Sequence, residues 1–116
     1  MKIDTRIDEG TAGLIFKKTV YTLVFNIQFT EEELAQIRKL GLTKDPHNVL
    51  VSGVKGQSGI LGEIALSQLL NGGYTVSDFE DLGHVKSVQS HLIDALKNLK
   101  AYLTEATDTG TKSIEL

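Results

Sequence analysis

The segment of this chain that comes nearest to a chemical motif is a run of glycines. Gly53-Val54-Lys55-Gly56-Gln57-Ser58-Gly59-Ile60-Leu61-Gly62 follows the apolar stretch Val49-Leu50-Val51. Glycines let backbone amides approach an anion closely, and a lysine among them adds a charge. Gly53, Lys55, Gly56 and Gly59 are therefore the candidate contacts for a phosphate or a nucleotide. The spacing matches neither standard cradle. A P-loop has four residues between its glycines and then Gly-Lys-Ser/Thr, and the dinucleotide fingerprint is G-x-G-x-x-G, whereas here the glycines recur at every third position. A flexible hairpin or loop explains them more simply, and anion or nucleotide binding stands as the alternative.

The histidines are His47, His84 and His91. His84 and His91 share a flank of a long helical segment but lie roughly 10 Å apart along its axis, too far to hold one metal ion without a third element between them. Asp78, Glu80 and Asp81 precede His84, where helix capping and solvated charge account for them. No metal site is expected. Ser58, in Gly-Gln-Ser-Gly, lacks the G-x-S-x-G frame of a nucleophile elbow and has no identifiable base, so no catalytic residue is assigned and no cofactor is expected. Lys86, Lys97 and Lys100 fall on a common helical flank, which is more often a solvated face than a phosphate-binding one.

Composition narrows the classes further. The 116 residues carry a formal net charge of −3 and no cysteine. Without cysteine there are no disulfides and no thiolate metal sites, and a reducing compartment is the natural home. The sequence pI of about 5.5 makes nucleic acid a poor default partner. The opening MKIDTRIDEG is charged and alternating, unlike a secretory leader, and no run of about eighteen apolar residues occurs. A cytoplasmic protein without membrane association is expected. A chain of 12.7 kDa can bury about two-thirds of its extended surface and so form a core unaided.

The elements that would position these residues are legible by periodicity. Leu82 to Glu105 has an unbroken helical period, with Val85, Val88, Leu92, Leu96, Leu99 and Leu103 three or four apart on one stripe. Lys2 to Asp8 alternates Ile3, Thr5 and Ile7 against charged residues, as in a half-buried strand, and Glu9 to Gly13 supplies a turn. Tyr21, Leu23, Phe25, Ile27 and Phe29 point one way and mark a central strand. Thr30-Glu31-Glu32-Glu33 forms a capping box opening a short helix, closed by Gly41 at the C′ position. His47 to Ser52 and Tyr74 to Phe79 are further strands. Residues 60–70 support either a strand or a helix. The strand is preferred, because Gly59 and Gly62 weaken a helix start, with Ser67 capping a single turn at 68–70.

The expected fold is α+β: an antiparallel sheet of four or five strands, the long C-terminal helix packed on one face, and a short helix after the central strand. Residues 1–106 form the domain, and 107–116 a polar tail. The expected function is that of a small acidic non-enzymatic interaction module, binding another protein or its own copy. A homodimer is favoured because Ile60 to Leu66 is apolar on both sides with only Glu63 to guard it. The tail, ending Ile114-Glu115-Leu116, could add a strand to a neighbour's edge.

Overall fold

A computed structural model describes residues 1–43, 49–55, 61–70 and 72–112. In chain order the elements are β1 (Lys2–Ala12), β2 (Lys18–Gln28), α1 (Glu31–Lys39), β3 (Val49–Lys55), β4 (Leu61–Ala65), α2 (Leu66–Leu69), β5 (Gly73–Phe79) and α3 (Leu82–Lys112). The fold is α+β with antiparallel pairing throughout.

The expected single sheet of four or five strands is instead two sheets, one ordered β1-β2-β5 and one formed by β3 and β4. The reason lies in the edges of β2. One is taken along its whole length by β1, from Lys2↔Gln28 to Ala12↔Lys18, and the other by β5, from Tyr21↔Phe79 to Asn26↔Gly73. α1 then carries the chain away from that sheet. β3 pairs with β4, and their register slips between Val49 and Val51 and again between Val51 and Val54. Such irregularities bend and twist a strand, and Gly53 within β3 has φ +73°.

The core is one contiguous cluster. β2 contributes Leu23, Phe25 and Ile27, β5 contributes Phe79, and all six stripe residues of α3 are buried. From the other side come Val51, Val54 and Ile64 of the β3–β4 hairpin, with Ile37 of α1 and Leu66 and Leu69 of α2. α3 is therefore shared between the two sheets. A polar tie adds to this, since Gln89 Nε2 donates to Thr5 Oγ1 at 3.0 Å and that hydroxyl donates to the Val24 carbonyl at 2.9 Å.

Local signals hold at the helix ends. The Thr30 hydroxyl accepts from the Glu33 amide at 3.1 Å, and the Glu33 carboxylate accepts from the Thr30 amide at 2.9 Å. At the other end of α1, Gly41 (φ +65°) donates to the Arg38 carbonyl, and Leu42 donates to that of Ile37, a Schellman closure. Asp81 caps α3 by accepting from the Gly83 amide at 3.0 Å.

Several boundaries differ from expectation: β3 does not stop at Ser52 but runs to Lys55, so that Gly53 belongs to a strand and not to the expected glycine loop. β1 does not stop at Asp8. Gly10 pairs with Val20 and Ala12 with Lys18, so the turn lies at 13–17, opened by Gly13 with φ +107°. Ser67 does not cap a following turn but sits inside α2, whose N-terminal side is closed by Gln68 Oε1 accepting from the Ala65 amide at 2.7 Å. α3 continues past Glu105 to Lys112, through most of the segment expected to be a polar tail. At its entry into that segment the Thr104 hydroxyl donates to the Lys100 carbonyl at 3.0 Å, so the threonine is satisfied within the helix.

Candidate functional site

The long β1–β2 hairpin ends in the sequence Gly13-Leu14-Ile15-Phe16-Lys17. Gly13 is required at the turn, because a Cβ there would lie 2.3 Å from the Phe16 carbonyl oxygen and the φ is one that side chains disfavour. The tight reversal leaves the next three side chains no neighbour to pack on. Leu14, Ile15 and Phe16 are 99%, 86% and 83% exposed, the three highest values among the large hydrophobic residues found exposed. Three contiguous apolar residues at a hairpin tip are unlike the scattered exposed leucines of an ordinary surface. Covering all three is worth on the order of 5–9 kcal/mol before the costs of association. Lys17 and Lys18 follow at once, and Lys18 Nζ stands 4.0 Å from Glu80 Oε1, just before α3 begins.

A second, partly apolar feature lies midway along α3. Leu42, Val49, Leu50, Ala95, Asn98, Leu99 and Tyr102 line an open groove of about 490 Å³ between α3 and the start of β3. Tyr102 is 49% exposed and Val49 39% exposed. A separate groove of about 350 Å³ joins Met1, Thr30, Glu33, Gln36, Lys100 and Leu103. Within it the Met1 ammonium lies 2.8 Å from Glu33 Oε1. Partial burial alone would push the Glu33 carboxyl up, but the ammonium and the Thr30 amide together outweigh it and hold the carboxyl below its usual range.

The residues singled out from sequence are dispersed. Gly53 lies within β3, its Cβ position free of neighbours, and Lys55 ends that strand, while Gly56 and Gly59 lie outside the described residues. The stretch leads into β4, with Val54 opposite Gly62 and Lys55 opposite Leu61. His47 and Ser58 lie outside the described residues. His84 sits with its ring centroid 5.6 Å from that of Phe79, and His91 is exposed on α3. Among the described residues no three His, Asp or Glu side chains converge as a metal site would require. Lys86, Lys97 and Lys100 are exposed on α3.

Of the apolar residues of Ile60 to Leu66, expected to need a partner's cover, those whose side chains are described find it inside the chain. Ile64, Ala65 and Leu66 are buried and Glu63 faces solvent, while Ile60 lies outside the described residues. Among the described residues the most exposed apolar side chains are those of the hairpin tip. Its sequence signal is the run Leu14-Ile15-Phe16 set directly between a turn glycine and two lysines, where a reversal ordinarily carries polar residues. No helix among the described residues is long and apolar enough to cross a membrane.

No family model, no curated protein and no solved structure matches this chain.

Proposed function

We propose that this protein is a small acidic cytoplasmic interaction module without catalytic activity, acting by protein–protein contact and assembling as a homodimer. The observation that carries it is the hairpin tip: three large apolar side chains held in solvent at the end of two fully paired 11-residue strands. The β1–β2 ladder fixes the tip in space, so little ordering entropy is lost when it docks, and the apolar area is kept for a partner. Two-fold homo-oligomers are the commonest assemblies of soluble chains.

The deciding measurement is solution mass by light scattering after gel filtration, followed across a dilution series at micromolar concentration. A species near twice 12.7 kDa that dissociates on dilution supports self-association. A mass of 12.7 kDa at every concentration rejects it. Anion or nucleotide binding through Gly53, Lys55, Gly56 and Gly59 is the competing proposal, and it predicts nucleotide-dependent amide shifts confined to those positions.

A further inference from the structure

We infer that the free edge of β1 is the dimer interface: two copies pair β1 with β1, antiparallel about a two-fold axis at Thr5, and their three-stranded sheets join into one. This rests on the self-association proposed above and names the surface that makes it, leaving the hairpin tips to a further partner.

The backbone supplies the first ground. β2 takes one edge of β1 along all 11 residues, and no strand among the described residues pairs with the other. The Ile27 amide donates to the Gly72 carbonyl, so Ile27, Phe25 and Leu23 direct their backbone groups toward β5, and Gln28, Asn26 and Val24 direct theirs toward β1. Lys2, Asp4 and Arg6 are thus the residues bonded to β2, and Ile3, Thr5 and Ile7 turn their N–H and C=O groups outward. Common devices that keep an edge single are absent from β1, which has no proline and no register break and whose charges alternate in sign.

The second ground is charge. The exposed outer face of β1 carries Lys2, Asp4, Arg6 and Asp8. With the axis at Thr5, Ile3 hydrogen-bonds with Ile7 of the second copy, and Thr5 with Thr5. Lys2 then stands opposite Asp8 of the second copy and Asp4 opposite Arg6, so every charge on this face meets its opposite. These fall at the non-hydrogen-bonded positions, where facing side chains are closest. A slip of two residues one way sets Asp4 against Asp4 and Lys2 against Arg6, and the other way sets Arg6 against Arg6 and Asp4 against Asp8. A slip of one residue sets outward backbone groups against residues already bonded to β2. The pattern is its own complement in a single register, which names a second copy as the occupant. The next charge, Glu9, falls opposite Met1, whose ammonium also serves Glu33. The Arg6–Asp8 pair within one strand is exposed and gives way at little cost.

The third ground is the inner face. Ile3 and Ile7 pack on the core yet are only half-buried. The Gln89–Thr5 hydrogen bond turns one flank of α3 toward β1, and Ile93, one turn on, is half-buried there too. Pairing sets Ile3 of each copy beside Ile7 of the other and covers both. Lys86, Lys97 and Lys100 share that flank of α3. Because α3 lies over β2, the two helices stand three strand spacings apart, roughly 14 Å. That gap lets the lysine stems run over the isoleucines while the ammonium groups reach water.

The test uses the full chain and charge-swapped variants. Asp4→Lys/Asp8→Lys makes the outer face of β1 wholly basic, Lys2→Glu/Arg6→Glu makes it wholly acidic, and both change exposed side chains only. Each alone should raise the dimer Kd about a hundredfold, because every attractive cross-strand pair becomes repulsive. Mixed in equal amounts they should dimerise as the parent does, since basic then faces acidic in the same register. The chain has no cysteine, so Gln28→Cys, at an exposed position opposite Lys2, takes a single spin label. Double electron–electron resonance on that labelled protein should give a distance of about 25 Å, from six residues along the strand and three strand spacings across it. Contact through the hairpin tips would hold these labels more than about 60 Å apart. If a swapped variant dimerises as the parent does, if mixing restores nothing, or if the labels lie at the longer distance, β1 pairing is overturned and self-association stands. A parent that is monomeric at all concentrations overturns both.

Discussion

Leu96 lies near the centre of the α3 stripe, is 0% exposed and belongs to the cluster that unites both sheets with α1 and α2. Replacing it with alanine removes a buried isobutyl group and leaves a cavity that strands from two separate sheets cannot easily close. Fully buried leucines cost about 2–5 kcal/mol on this substitution. A site shared by several elements belongs in the upper half of that range, at about 3–4 kcal/mol. Alanine is a slightly better helix former than leucine, so propensity works against the loss and the deficit reports packing alone. The unfolding entropy of 116 residues is about 0.24 kcal/mol/K, so the melting temperature should fall by roughly 12–16 °C. Circular dichroism at 222 nm follows the melt, and urea titration gives the free energy with an unchanged slope if the denatured state is unaffected. Tyr102→Ala, at a half-exposed position on the same helix, is the control and should shift far less. A Leu96→Ala protein melting within about 2 °C of the parent would refute the assignment of α3 as the element on which both sheets pack.

Glu33→Gln should destabilise the protein at neutral pH. Because the folded carboxyl titrates below its unfolded value, its contribution is complete above the ordinary carboxylate range and is lost as pH falls through the lowered folded value, so the two melting curves should converge in acid. Thr30→Ala removes one half of the capping box and should cost about 1 kcal/mol by urea titration, with no change in solution mass. Gly13→Ala should cost more than the ~1 kcal/mol typical of a strained left-handed residue, because its Cβ would collide with the Phe16 carbonyl oxygen, whereas Gly53→Ala meets no such contact. The Gly13 variant should also weaken any self-association that depends on the tip, measured by the same dilution series. Pyrophosphate or nucleotide titration followed by amide NMR should leave Gly53 unmoved, and selective shifts there would promote the anion-binding alternative.

Several features of this fold are written locally. The α3 stripe is legible because a helix imposes its own period on whatever it packs against, so Val85 through Leu103 had to share a face. The Thr30–Glu33 box and the Gly41 closure involve residues three to five apart, and their chemistry is complete without the rest of the chain. The inward face of β2 is fixed by simple alternation. Strand pairing is a different matter, because any two strands of suitable length compete for the same edges and the winner depends on where the connections let the chain go. Thus β5 rather than β3 or β4 took the second edge of β2, and one expected sheet became two. Burial is likewise a tertiary property. The apolar stretch that runs through β4 into α2 looked uncovered in sequence, yet Ile64 and Leu66 lie inside because the β3–β4 hairpin folds onto α3. Leu14, Ile15 and Phe16, which composition alone would send to the core, stand in solvent because two paired strands carry them beyond the reach of any other element.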